Sequence, residues 1–124
     1  MRVAVKVLIA EDDANILEAL SFVLGREGFE VSTALDGDAA LRRLRGDPPD
    51  IMVLDLMLPG RNGFEVLEEV KADPALRPLR VMVLTAKGQS QDRRRVEAIG
   101  AEGFMTKPFS NTEVVNAVRR LARA

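Results

Sequence analysis

The sequence predicts a doubly wound α/β domain in which five short parallel strands alternate with five helices. Three observations predict it. Five apolar or β-branched runs, VKVLIA (5–10), FEVSTAL (29–35), IMVLDL (51–56), RVMVLTA (80–86) and GFMTKP (103–108), start roughly 22 to 29 residues apart, the length of a strand, a crossover helix and two loops. Between them, apolar residues recur at helical rather than strand spacing. The runs VKVLIA, IMVLDL and VMVLTA are almost continuously apolar instead of alternating, as expected of parallel strands covered by helices on both faces.

Each element has its own justification. The first strand leads into a helix whose stripe is Ile16, Leu17, Leu20, Val23 and Leu24, with Gly25 and Gly28 bracketing its end. FEVSTAL is more mixed and suits a sheet edge. Asp36 or Gly37 opens a second helix carrying Leu41 and Leu44, and Gly46 with DPP closes it. IMVLDL is central, and Phe64, Leu67 and Val70 stripe the helix that follows. After the fourth strand a weak stripe of Val96 and Ile99 marks the fourth helix. GFMTKP forms the other edge, and a last helix with Val114, Val118 and Leu121 is capped by Ser110 or Asn111. Right-handed crossovers then give a (βα)5 sheet in the flavodoxin-like order 2-1-3-4-5. No linker, repeat or low-complexity stretch interrupts it, so residues 1–124 read as a single domain, long enough for one core.

Composition removes several functions. Lys and Arg number 18 against 19 Asp and Glu, and a net charge of -1 gives no global attraction to nucleic acid or an anionic membrane. The absence of Cys excludes disulfides and thiolate metal sites; the absence of His removes the commonest general base and metal ligand. In MRVAVKVLIAEDD, Lys6 splits the apolar run and acids close it, unlike a signal peptide, and no stretch approaches a membrane span. A cytoplasmic location is expected.

The remaining polar residues gather at strand ends. In an open sheet of this order the functional crevice lies outside the carboxyl ends of the strands, between the first and third. The first strand ends in Glu11, Asp12 and Asp13, the third in Asp55, the fourth in Thr85 and the fifth in Lys107-Pro108. Asp13 reads more simply as a helix cap than as a site residue. Glu11, Asp12 and Asp55 together would raise one another's pKa unless a cation sat among them, and a hard divalent ion with oxygen ligands, Mg²⁺ above all, is the simplest remedy. Lys107 and Thr85, each unremarkable alone, form beside such a cluster a donor set for an added anion, with Asp55 as the available nucleophile and Ala86 leaving room for entry.

These residues resemble the receiver domain of two-component response regulators, over essentially the whole chain. VLIAEDD, PDIMVLDLMLPGRNG, VMVLTA and GAEGFMTKPF occur in this order at receiver-like spacing. The resemblance implies that Asp55 is the phosphoacceptor, that Glu11 and Asp12 are the acidic pair, and that Met57 lends a backbone carbonyl to the metal. It also implies that Thr85 and Lys107 contact the phosphoryl group, that Pro108 follows a cis bond and that Phe104 takes the place of the switch aromatic. A histidine kinase or phosphotransfer protein is the expected donor. The output face is expected on the fourth helix, fifth strand and fifth helix, where Arg93, Arg94, Arg95, Arg119, Arg120 and Arg123 form either a solvated basic face or a surface for an acidic patch on a protein partner; Lys87 is either a solvated loop lysine or a modifier of phosphoryl lifetime. Two departures stand out. Glu102-Gly103 and Ala117 occupy places where receivers that dimerise through this face tend to carry two acids and an Arg. No effector domain follows RRLARA, so the chain reads as a stand-alone receiver or a piece of a longer regulator.

Two rivals remain from the residues alone. A haloacid-dehalogenase-like phosphatase also uses an Asp after a parallel strand with Mg²⁺, but wants a second Asp where Met57 stands. A flavin or nucleotide module would share the fold, but neither a P-loop nor G-x-G-x-x-G follows the first strand. The leading expectation is a phosphorylation switch, not an enzyme, that assists its own phosphotransfer and dephosphorylation.

Overall fold

The structure, a computed structural model, describes residues 4–86 and 90–123. The elements are β1 (Lys6–Ala10), α1 (Ala14–Arg26), β2 (Glu30–Ala34), α2 (Gly37–Gly46), β3 (Ile51–Asp55), α3 (Gly63–Ala72), β4 (Arg80–Thr85), α4 (Ser90–Ile99), β5 (Gly103–Thr106) and α5 (Asn111–Arg123). The five strands are all parallel, in the order β2-β1-β3-β4-β5. Every expected element is present, with strands one or two residues shorter than the apolar runs. Helix α1 also runs through Gly25 to Arg26, and the turn falls at Gly28 (φ 92°). A glycine in the last turn of a helix costs at most about 1 kcal/mol, which packing of the buried Leu20 and Leu24 outweighs.

Alternation along buried strands builds two cores. Val7, Ile9, Ile51, Val53, Met82 and Leu84 face one way and pack under α1 and α5, against Leu20, Leu24, Val114 and Val118. Leu8, Ala10, Met52, Leu54, Val81 and Val83 face the other way, under α2, α3 and α4. Because both faces are covered, the central strands have no polar face, and each fully buried aliphatic side chain stabilises the fold by roughly 1.5–3 kcal/mol.

Local side chains fix where the helices begin. Asp13 accepts from the N–H groups of Asn15 (2.9 Å) and Ile16 (3.3 Å), and Asp36 from Ala39 (2.7 Å). Asn62 and Glu65 cap α3 reciprocally, as do Ser110 and Glu113 at α5. Asp13, Asp36 and Ser110 are thus the caps among the candidates read from sequence. No helix among the described residues is long and apolar enough to cross a membrane.

Candidate functional site at the sheet switch point

Since all strands run the same way, their carboxyl ends share one edge, and β1 and β3 lie side by side where the winding reverses. Glu11 follows β1 directly, its N–H held by the carbonyl of Ala34 at 3.0 Å. Asp55 ends β3, Thr85 ends β4, and the Lys107 N–H donates to the Thr85 carbonyl at 2.8 Å. Glu11, Asp55 and Thr85 are 0%, 2% and 1% exposed; Asp12 is exposed. Helix α3 starts flush against this edge. The Gly63 N–H donates to the Leu56 carbonyl at 3.0 Å, and a Cβ on Gly63 would lie 2.5 Å from the carbonyl oxygen of Asp55, so only glycine fits.

The geometry brings the three acids and Lys107 together. Glu11, Asp12 and Asp55 each offer a carboxylate oxygen, all within 4.8 Å of one another. The Lys107 ammonium sits 2.8 Å from Glu11 Oε1 and 3.3 Å from Asp55 Oδ2. Asp55 Oδ1 accepts from the Met57 N–H at 3.0 Å, and Glu11 Oε2 from the Asp13 N–H at 3.1 Å. Glu11 Oε1 touches Lys107 as an ion pair, yet it accepts no well-directed hydrogen bond among the described residues. The Lys107-Pro108 bond is cis, as the resemblance implied.

Electrostatics follow from this crowding. Burial pushes the Glu11 carboxyl up to about 7, and a hydrogen bond shared with Asp55 pushes the same way; Lys107 and the Asp13 N–H pull it back. For Lys107, burial works to lower the pKa, but Glu11 and Asp55 overcome it and raise it. The protein's own ammonium therefore supplies part of the positive charge that the three acids require. What remains is a hard, all-oxygen donor set with one buried, poorly satisfied oxygen, an arrangement that fits a small divalent cation.

Other expectations need revision or fall elsewhere. Of the six arginines expected on one face, two turn away. Arg95 lies 4.0 Å over the Phe64 ring of α3, and Arg119 pairs with Glu27 at the end of α1, because each finds a stacking or charged partner across a helix seam. Arg93 stays, 5.6 Å from the half-buried Phe104 ring and paired with Glu97 at 2.9 Å. Lys87 lies outside the described residues. The close approach of Gly63 to Asp55 was invisible in the sequence, although the glycine itself could have raised the question.

A doubly wound five-stranded protein with acids and a lysine converging at its switch point is the class that fold and site define, and comparison narrows it. Residues 7–119 match the family described as response regulator receiver domain. The chain is 38% identical over 118 residues to the phosphate regulon transcriptional regulatory protein PhoB of Escherichia coli, covering 95% of this chain and 52% of that protein. It is 39% identical to the probable transcriptional regulatory protein TcrX of Mycobacterium tuberculosis, covering 96% and 50%. Among solved structures, a putative response regulator from Chloroflexus aurantiacus superposes with a TM-score of 0.92 at 30% identity, covering 98% of this chain and 99% of that one. The chemotaxis response regulator CheY4 of Vibrio cholerae gives 0.90 at 28%, covering 95% and 98%. The chain belongs to the response regulator receiver domain family, and so to phosphorylation-dependent two-component signalling, in which receiver domains work with histidine kinases. It is a signalling switch rather than a conventional enzyme, and it spans about half the length of the curated relatives it matches.

Proposed function

We propose that residues 1–124 form one receiver domain in which Asp55 accepts a phosphoryl group from a histidine kinase or phosphotransfer protein. The observation that carries this is the convergence of Glu11, Asp12 and Asp55 within 4.8 Å, with the Lys107 ammonium 3.3 Å from Asp55. A carboxylate oxygen of Asp55 attacks phosphorus, the bond from phosphorus to the donor nitrogen breaks, and its electron pair stays with the imidazole. Glu11, Asp12, Asp55 and the Met57 carbonyl would hold Mg²⁺, which would neutralise charge on the phosphoryl oxygens. Lys107 and Thr85 take the other oxygens, and the same groups later orient water for loss of phosphate. The donor approaches over a hollow of about 560 Å³ beside Lys107, lined by Ile16, Ala19, Leu20, Pro108 and Phe109.

The output face is α4, β5 and α5. Thr85 and Lys107 lie at its base, and their pull toward a phosphoryl group shifts the population toward a state in which Phe104 is more deeply buried. Its arginines suit an acidic patch on a protein partner.

Incubation with acetyl phosphate and Mg²⁺ followed by intact-mass analysis tests the central claim. The parent should gain one phosphoryl group and Asp55→Asn none. An Asp55→Asn variant that gains mass as readily as the parent would refute the assignment.

A further inference from the structure

Residues 56–62 link β3 to α3 and carry Met57, whose N–H already holds Asp55 Oδ1 at 3.0 Å. One end of this loop is fixed by Gly63 against Asp55, as described. The other side rests on α2. The Gly37 N–H donates to the Pro59 carbonyl at 3.3 Å. A Cβ on Gly37 would overlap the carbonyl oxygen of Arg61 and lie 2.6 Å from its carbonyl carbon and 2.7 Å from its Cβ. These are mostly backbone atoms, which cannot rotate aside as a flexible side chain can. Gly37 is the first residue of α2, where alanine would otherwise favour the helix. Its smallness is therefore explained by the approach of the loop.

A second layer lies outside the first. Arg61 Nε is 3.5 Å from Asp38 Oδ1, Arg61 also pairs with Glu69, and Arg45 reaches Glu69 at 3.0 Å. These side chains are partly exposed, so their ion pairs hold the loop weakly. The stiff contact is the backbone one.

We propose that Gly37 is a positioning residue for the Asp55 site: the first turn of α2 is the backstop that sets the path of residues 56–62, and with it the Met57 N–H and carbonyl. The role at the metal rests on the function proposed above. A Cβ at this point must push the loop toward the acids, which displaces Met57, or lift α2 away, which removes the support behind the loop.

Gly37→Ala tests this against Gly46→Ala, at the far end of the same helix, where a Cβ meets nothing within 4 Å. Three quantities are compared: amide exchange at Met57 in the metal-free protein, Mg²⁺ affinity by calorimetry, and labelling by acetyl phosphate. Gly46→Ala should match the parent in all three. Gly37→Ala should melt cooperatively but exchange faster at Met57, label more slowly and bind Mg²⁺ about tenfold or more weakly, the usual loss when a ligand's support is removed. Parent-like exchange and affinity in a folded Gly37→Ala would overturn the proposal. Should that variant not fold, Arg61→Gly decides: it removes the Cβ and frees the backbone at the point where the loop meets Gly37, so faster exchange at Met57 and weaker Mg²⁺ binding support the role of the seam, and parent-like values reject it. A parent that neither binds Mg²⁺ nor takes label would overturn the function proposed above, leaving exchange at Met57 to decide on Gly37.

Discussion

Glu11 concentrates the conflict built into the site. Its carboxyl is fully buried beside Asp55, and burial holds its pKa near 7, above the ordinary 4.5. A carboxyl whose pKa is higher folded than unfolded binds more protons in the folded state between those two values. Its contribution to stability is therefore whole below about 4.5 and is lost as pH rises through about 7. In chelator-treated protein, Glu11→Gln should flatten the fall in melting temperature across that window and melt above the parent at pH 8. A variant that melts below the parent there would show that the pair with Lys107 outweighs the cost of burial. Asp12 is exposed and bears less of this cost, so Asp12→Ala should mainly weaken Mg²⁺ binding. Calorimetric titration checks it, and undiminished affinity would remove Asp12 from the ligand set.

At the scale of elements, Lys71 joins pieces that no local pattern connects. Its ammonium donates to the carbonyls of Arg77 (3.2 Å) and Leu79 (3.0 Å) and to Glu102 Oε2 (2.9 Å), while Glu102 Oε1 accepts from the Val81 N–H (2.8 Å). The end of α3, the start of β4 and the turn before β5 are thereby tied, with the Lys71 side chain only 10% exposed. Lys71→Met keeps the apolar stem and removes the donor. It should destabilise the protein by about 1–3 kcal/mol, because two carbonyls and a carboxylate lose a partner together. Denaturant titration measures this, and a loss below about 0.5 kcal/mol would mean that water replaces the ammonium freely. Glu102 occupies one of the places where dimerising receivers tend to carry an acid, and here it is committed within its own chain.

For the whole molecule, near-neutral charge conceals local arrangement. Arg95 and Arg119 are held at the α3 and α1 seams, so the face of α4, β5 and α5 proposed for output is less basic than its sequence. With Ala117 buried where an Arg would serve a dimer, phosphorylated or beryllofluoride-treated protein should sediment as a monomer. A salt-sensitive dimer lost on mutating Phe104 would overturn that expectation. On the function proposed above, Mg²⁺ would bind the folded state and not the unfolded one, so it should raise the melting temperature with concentration, by about 2.7 kcal/mol of stabilisation at a hundred times its dissociation constant. Asp55→Asn should blunt the rise, and an equal rise in both proteins would place the ion elsewhere.

Strand and helix alternation, the helix caps and the order of the site residues were legible in the sequence because each depends on neighbours a few positions away: apolar runs, Asp13, Asp36 and Ser110, and the polar residues that close each central strand. Parallel topology then placed those closing residues on one edge without any knowledge of side-chain positions. Only the tertiary structure could decide what happens between residues far apart in the chain. It set Lys107 among the acids, so that part of the expected cation charge comes from the protein, and it tied Lys71 to Glu102, 31 residues on. It also turned Arg95 and Arg119 away from the face their helices suggested. The physical reason is that a charged side chain on a long stem takes whichever partner packing brings within reach, and packing is the sum of contacts that no local stretch contains.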